Sequence, residues 1–343
     1  MPTKKPSGIA AVAEEAGVSV STVSQVLGGN RPVSAQTRTR VEAAIDKLDY
    51  RPHPGARSLR SHRTESVALI VPDITNPFYP LVAAGMQDVL LPAGYLLSVN
   101  DAALPSANIG EVLRHVLARR VDGIALGTYG LSEADLARIA DSGTRVVALG
   151  RDVEIAGSDY VESDDESGFA KVVEHLLSTG RRRIAFIGGE ENAHPNVLRL
   201  RGYRSTLSAA GHATAADDAV FTAFTREGGR EGVDALFARN GGWDAVVCAN
   251  DLIAIGAIER LRELGRSVPG DVAVTGYDDI DAAALISPSL TTVENPAREI
   301  GRTAARLLLT RFAETDEGAA TQHITLSNRL VIRGSTAPTP QER

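Results

Sequence analysis

The sequence predicts two architectures in one chain: an all-α helix-turn-helix headpiece, then an α/β body of two lobes with parallel, doubly wound sheets. Three observations lead there. Residues 7–49 hold three short helix-period apolar patterns divided by glycine and proline. From Ser66 onward, short apolar runs alternate with helix-period segments. Charge divides at the same place. Residues 1–63 carry ten Lys/Arg against five Asp/Glu, and the other 280 carry 26 against 38, within a net charge of -7. A basic module on an acidic body points to a polyanion partner for that module alone. A merely solvated basic surface is the alternative.

Length and composition set the bounds. At 343 residues the chain exceeds one ordinary domain. With 43% hydrophobic and 23% charged residues it is not a disordered chain. The single Cys248 excludes an internal disulfide framework and any zinc site built on several cysteines. The alanine-rich run after Lys4 and Lys5 contains Glu14 and Glu15, which a signal peptide core would lack. No stretch approaches the roughly 18 consecutive apolar residues of a membrane span. The expectation is a cytoplasmic protein with no membrane partner.

In the headpiece, residues 1–50, Ser7 or Gly8 can cap a first helix through Ile9, Val12 and Ala13 that stops at Gly17. Ser19 caps a second, with Val23, Val26 and Leu27 inward and Val20, Ser21, Ser24 and Gln25 outward. Ser34 caps a third, lined by Val41, Ala44, Ile45 and Leu48. The second helix of such a motif lies in the DNA major groove. There Gln25 can pair with adenine, Ser21 can donate or accept, and Val20 can touch a thymine methyl. Ser19, Thr22, Ser34 and Arg38 suit phosphates. A three-helix protein-binding module would carry the same capping serines.

Residues 51–64 (RPHPGARSLRSHRT) read as a basic linker, too short to hold a helix alone and helical only against a partner. The body spans 65–335. Apolar strands are expected at 66–71, 95–100, 122–127 and 145–150, then at 182–189, 219–221, 244–250 and 271–279. Helix-period segments lie near 78–92, 107–119 and 132–141. These strands are too many for one compact sheet. Lobe 1 is placed at about 66–161 plus 293–323, and lobe 2 at about 164–290 plus 326–334. The tail, 336–343, is expected to be disordered.

The segments IAAVAEEAGVSVSTVSQVLGG and VSAQTRTRVEAAIDKLDYRP resemble the headpiece of the LacI/GalR family of bacterial repressors. In the body, VPDITNPFY, RRVDGIALG, RGY (201–203), CANDLIAIGAIERLRELG, VPGDVAVTGYDDI and SLTTVENP are similar to that family too. The resemblance covers residues 8–334. It implies a periplasmic-binding-protein-like body, a homodimer, a palindromic double-stranded DNA operator, and a small-molecule effector that is a sugar or sugar phosphate. It places the base readers at Val20, Ser21 and Gln25. Gln25 departs from the family's usual arginine, which shifts the expected operator. It also implies a hinge helix at 53–61, with Leu59 as a minor-groove wedge beside Ala56.

Ligands of open α/β sheets bind beyond the carboxyl ends of strands. Asp73, Asn100, Asp101, Thr128, Arg151, Asn250 and Asp278 stand at such ends, Asn295 stands on the crossing after LTTV, and Arg199 lies early in a helix. The resemblance makes Arg199, Asn250, Asp278 and Asn295 the hydrogen-bonding set, with Phe78 and Phe224 flanking the ligand. Each residue also has a plainer reading: Asn250 as a helix cap, Asp278 as a turn residue, Arg199 as a solvated helix residue. Gly150 stands where family sugar binders often carry an acid, leaving Arg151 beside it, so an anionic ligand stays open. Neither induction nor corepression is selected.

No enzyme signature emerges. The histidines at 53, 62, 115, 175, 194, 212 and 323 have no metal-ligand spacing, and no metal or cofactor is expected. Two rivals remain: a plain sugar receptor, and a nucleotide-dependent α/β enzyme.

Overall fold

The structure, a computed structural model, describes residues 8–28, 33–50, 63–103, 109–127, 130–150, 155, 157–191, 193–212, 218–239, 242–314 and 320–336. The chain forms two units, Met1–Thr64 and Glu65–Arg343. Among the described residues no helix is long and apolar enough to cross a membrane.

In the first unit, helices α1 (Ile9–Ala16), α2 (Val20–Gly28) and α3 (Ala35–Leu48) enclose a core of Val12, Ala13, Ala16, Val23, Val26, Val41 and Ala44. Leu27, Ile45 and Leu48 pack against it half-buried. Gly17 makes the turn between α1 and α2 at φ 61°, a left-handed position that costs glycine nothing. The Arg40 guanidinium of α3 donates to the carbonyls of Ala16 and Gly17, placing a cation on the negative end of α1. Lys47 pairs with Glu15 at 2.7 Å. Gly8 rather than Ser7 precedes the first helix, and it makes no side-chain cap.

The second unit begins with a lobe of β1 (Ser66–Val71), α4 (Phe78–Leu90), β2 (Leu96–Asp101), α5 (Ile109–Ala118), β3 (Gly123–Leu126), α6 (Glu133–Ser142), β4 (Arg145–Leu149) and β5 (Asp159–Ser163). The second lobe runs through α7 (Asp165–Ser178), β6 (Ile184–Gly188), α8 (His194–Ala209), β7 (Ala219–Phe221), α9 (Arg226–Ala238), β8 (Ala245–Cys248), α10 (Asp251–Glu263), β9 (Ala273–Thr275) and α11 (Asp281–Leu285). The chain then returns through β10 (Thr292–Glu294) to α12 (Ala297–Ala313) and β11 (His323–Leu326), and goes back through β12 (Arg329–Val331).

The first sheet has the order β11-β5-β4-β3-β1-β2 and the second β7-β6-β8-β9, all neighbours parallel. β10 and β12 pair antiparallel. Central strands buried on both faces explain the unbroken apolar runs of the sequence, such as Val67–Val71. β5, β10, β11 and β12 were not expected as strands: DYVES and HITL mix polar with apolar residues, and the other two are three residues long. Helices α4 and α12 touch backbone to backbone. A Cβ on Gly85 would fall 2.0 Å from the Arg298 carbonyl, and one on Gly301 2.0 Å from that of Val82.

The tail needs correcting. Thr336, placed in the disordered segment, is buried with Ser335. Ser335 donates to the Val274 carbonyl at 2.6 Å and accepts from the Val274 N–H, through its own carbonyl, at 3.1 Å. Thr336 bonds Thr291 at 2.7 Å and His175 at 2.8 Å. β9 is an edge strand with open backbone groups, and the chain end supplies their partners. Residues 337–343 lie outside the described set.

Candidate functional site

In the headpiece, the outward face of α2 begins with Val20, 44% exposed, and Ser21, also exposed. Ser24 and Gln25 are half-buried rather than fully exposed. Ser19 spends its hydroxyl on the helix: it accepts from the Thr22 N–H at 3.1 Å and bonds the Ser21 and Thr22 hydroxyls. Ser34 likewise accepts from the Thr37 N–H at 3.2 Å. Arg38 is exposed, with Glu42 4.0 Å away. Ala56 and Leu59 fall in 51–62, outside the described residues.

In the body, a cleft lies at the carboxyl ends of the strands of both lobes, with an empty volume of about 960 Å³ counting the part open to solvent. Asp73, Phe78, Arg199, Phe224, Asn250, Asp278 and Asn295 all line it. Thr128 and Arg151 are outside the described residues. Asn100 and Asp101 do not line it. The Asp101 carboxylate instead accepts from the N–H groups of Ala103 at 3.1 Å and Ile74 at 3.4 Å, holding two loops.

Phe78 and Tyr79 form an edge-to-face pair, centroids 5.2 Å apart, at the start of α4. Asp73 and Asn76 fix the loop before them: Asp73 accepts from the Thr75 N–H at 2.8 Å, and Asn76 from that of Phe78 at 3.1 Å. Across the cleft, Phe224 sits against Gly189, where a Cβ would meet its ring at 2.2 Å.

Asn250 caps α10. Its Oδ1 accepts from the Ile253 N–H at 2.9 Å and its Nδ2 donates to the Phe224 carbonyl at 3.4 Å. The plainer reading of this residue as a cap is thus true, and it faces the cleft as well. Arg199 is buried, not solvated. It donates to Asp165 at 3.2 Å and to the Ala249 carbonyl at 2.7 Å, and stacks 4.2 Å over the Tyr277 ring. Burial alone would favour its neutral form, but the Asp165 and Asp278 carboxylates outweigh that and hold it charged.

Asp278 is buried at φ 111°, a region a non-glycine residue enters only under constraint. Two bonds hold it: its N–H donates to the Val293 carbonyl at 2.9 Å, and its carboxylate accepts from Asn295 Nδ2 at 3.0 Å. Burial pushes its pKa up to about 6, with Arg199 and Asn295 opposing. The Asn295 Oδ1 atom is buried and has no hydrogen-bond partner. Behind them, Asp251 accepts from the Thr292 hydroxyl at 2.5 Å and the Ile280 N–H at 2.9 Å. Burial and the nearby Asp278 push its carboxyl well above the usual range.

Sequence reasoning missed Asn76, Tyr79, Glu162, Asp165 and His194, which also line the cleft. Asn76 and Tyr79 flank Phe78 in NPFY, so their signal was at hand. Glu162 lies near the end of β5, a strand the pattern did not reveal, and Asp165 begins the helix that follows it. The assembled cleft offers carboxylate and amide acceptors, guanidinium and amide donors, and flat aromatic walls. That set suits vicinal hydroxyls on a ring with apolar faces.

Residues 8–53 match the model of bacterial regulatory proteins of the lacI family, and residues 173–336 match that of a periplasmic binding protein-like domain. The HTH-type transcriptional regulator CelR of Thermobifida fusca is 34% identical, over 94% of this chain and 96% of its own. A solved complex of the regulator CelR with cellobiose is 32% identical, covers 96% of this chain and 99% of its own, and superposes with a TM-score of 0.73. The lac repressor dimer bound to operator and an anti-inducer is 25% identical, covers 97% and 99%, and has a TM-score of 0.82.

Proposed function

This chain belongs to the lacI family of bacterial regulatory proteins and is an HTH-type transcriptional regulator; from that premise we propose that it is a cytoplasmic, homodimeric repressor of carbohydrate uptake or catabolism genes, released from a palindromic operator when a sugar fills the cleft. The observation that carries this reading is the Asp278–Asn295 pair. It places a carboxylate and the amide that braces it together on the cleft wall, with Arg199 and two aromatic side chains.

Charge favours an uncharged saccharide over a sugar phosphate. Asp73, Glu162, Asp165 and Asp278 line the described cleft against one guanidinium, and Asp165 already neutralises it. A phosphate monoester would bring about -1.5 to -2 more charge into that field. The chain acts by binding: the cleft groups hold hydroxyls, and the relatives it matches are transcriptional regulators.

DNA reading falls to Val20, Ser21, Ser24 and Gln25, with Ser19, Thr22, Ser34 and Arg38 on phosphates and the hinge residues Ala56 and Leu59 in the minor groove. The dimer face runs over α4 and β2. β2 is a sheet edge whose Leu96 is 69% exposed, with Leu81, Leu91 and Val99 exposed nearby. Such an unprotected apolar edge favours burial against a second copy.

The test is a thermal-shift comparison of glucose, cellobiose and glucose 6-phosphate, on the native chain and on Asp278→Ala. Stabilisation by a neutral sugar, lost in the variant, is the expected result. Stabilisation by the phosphate alone, or stabilisation that survives in the variant, contradicts it.

A further inference from the structure

Three passages of chain join the two lobes: 163–165 after β5, the return after β10 at 294–296, and 326–329 after β11. Two adjacent residues of lobe 2, Tyr277 and Asp278, touch all three. The Tyr277 hydroxyl bonds the Ser163 hydroxyl at 3.0 Å and accepts from Asn328 Nδ2 at 3.3 Å. Asp278 binds the second crossing through Val293 and Asn295. The first and third crossings are also tied to each other: the Asp164 N–H donates to the Leu326 carbonyl at 3.1 Å, and Asn328 Nδ2 donates to the Asp164 carbonyl at 2.5 Å. Lys171 of α7 secures Asn328 at 2.8 Å.

Tyr277 is fully buried and its ring is clamped. Phe169 stacks on it at 5.4 Å, and Arg199 lies over it at 4.2 Å. The approach is so close that a Cβ on Gly168 would stand 2.8 Å from both the Tyr277 ring and Asn328. The ring therefore has its own support, and the hydroxyl is not needed to pack it. Beside its contact with Asp165, the bonds to Ser163 and Asn328 do something else: they fix crossings to a residue that sits between two cleft groups, under Arg199 and next to Asp278.

We propose that Tyr277 is the positioning residue that couples the cleft to the hinge, its hydroxyl latching the first and third crossings so that ligand contacts at Arg199 and Asp278 reset the angle between the lobes. The coupling half of this inference rests on the proposed sugar response. The latch half rests on the hydroxyl's geometry alone. A ligand that draws on Arg199 or Asp278 shifts the support of the Tyr277 ring, and the change reaches Ser163 and Asn328 through one oxygen atom. Phenylalanine would keep the ring and lose the latch.

The experiment uses the full chain, as native protein, Tyr277→Phe and Ser163→Ala. Backbone amide exchange is followed in the absence of any ligand or DNA. Peptides covering 163–166 and 326–330 should both exchange at least about threefold faster in Tyr277→Phe, which loses both bonds, and the 163–166 peptide alone in Ser163→Ala, which loses one. The cores around β3 and β8 should be unchanged. Exchange at the crossings of Tyr277→Phe equal to the native rate overturns the latch, and so does acceleration spread evenly over both cores. The second readout is operator affinity with and without cellobiose, the probe for a neutral sugar. A native protein with no cellobiose-dependent change fails the sugar reading for that probe, while the exchange data still decide the latch. A native change that Tyr277→Phe reduces at least about threefold, at unaltered cellobiose affinity, is the expected result. An undiminished change overturns the coupling.

Discussion

Asn295 donates its Nδ2 hydrogen to the Asp278 carboxylate at 3.0 Å, while its own Oδ1 stays buried with no hydrogen-bond partner. An unmade bond of this kind costs roughly 1–3 kcal/mol. The rest of Asn295 lines the cleft, and a sugar that turns this amide toward its hydroxyls recovers that cost on binding. Asn295→Ala should therefore weaken sugar binding roughly 5- to 150-fold. Calorimetric titration with the best neutral sugar of the thermal-shift panel measures it. Unaltered affinity would remove Asn295 from the site.

Sugar affinity should depend on pH through Asp278. Burial raises its carboxyl from 3.8 to about 6, against Arg199 and the Asn295 bond. The groups facing it are Arg199, Asn295, Asp165 and Asp251. In the folded chain it binds a proton more readily than in the unfolded chain, so its contribution to stability falls as pH rises from 3.8 to 6. Ligand hydroxyls that donate to it need the ionised form. Affinity should rise about tenfold from pH 5 to above 7 and then level off. Asp278→Asn should flatten the profile, and a native profile already flat over that range would contradict the assignment.

The α4–α12 contact is predicted to be intolerant of even one methyl. A Cβ on Gly301 would lie 2.0 Å from the Val82 carbonyl, a backbone atom that cannot rotate away. Gly301→Ala should destabilise the body by about 1–3 kcal/mol or more. At about 2–4 °C per kcal/mol, scanning calorimetry should record a fall of several degrees.

Gln25 governs the choice of operator in this account. Selection of binding sites from randomised duplex DNA should return a different base at one symmetric pair of positions for Gln25→Arg. The preference there should change by roughly 1–3 kcal/mol. A uniform loss of affinity across all sequences would mean that Gln25 does not read bases.

Much of this molecule was legible before its structure. The capping serines Ser19 and Ser34 and the spacing of Val12, Val23 and Val41 encode the headpiece locally, within a few residues. The runs at 66–71 and 184–188 announce buried parallel strands because both faces are covered. β5 and β12 were hidden, since DYVES mixes polar with apolar residues, RLV is three residues long, and each leans on a distant partner, β11 or β10. The same distance hid Asp165, whose meaning comes from Arg199, 34 residues on. Strand ends identified Asp73 and Asn250 but also Asn100 and Asp101, because position at a strand end does not say which lobe faces it. Ser335 and Thr336 look like a polar tail and are buried only because β9 leaves an edge to fill.

The most direct test of the central claim is the operator affinity of the full chain, measured by fluorescence anisotropy on the best selected duplex, with and without a saturating neutral sugar that raises its melting temperature. A fall in affinity of at least about fivefold is predicted, the lower end of ordinary allosteric coupling, and it should vanish in Asp278→Ala. An operator affinity that the bound sugar leaves unchanged, or strengthens, would contradict the account.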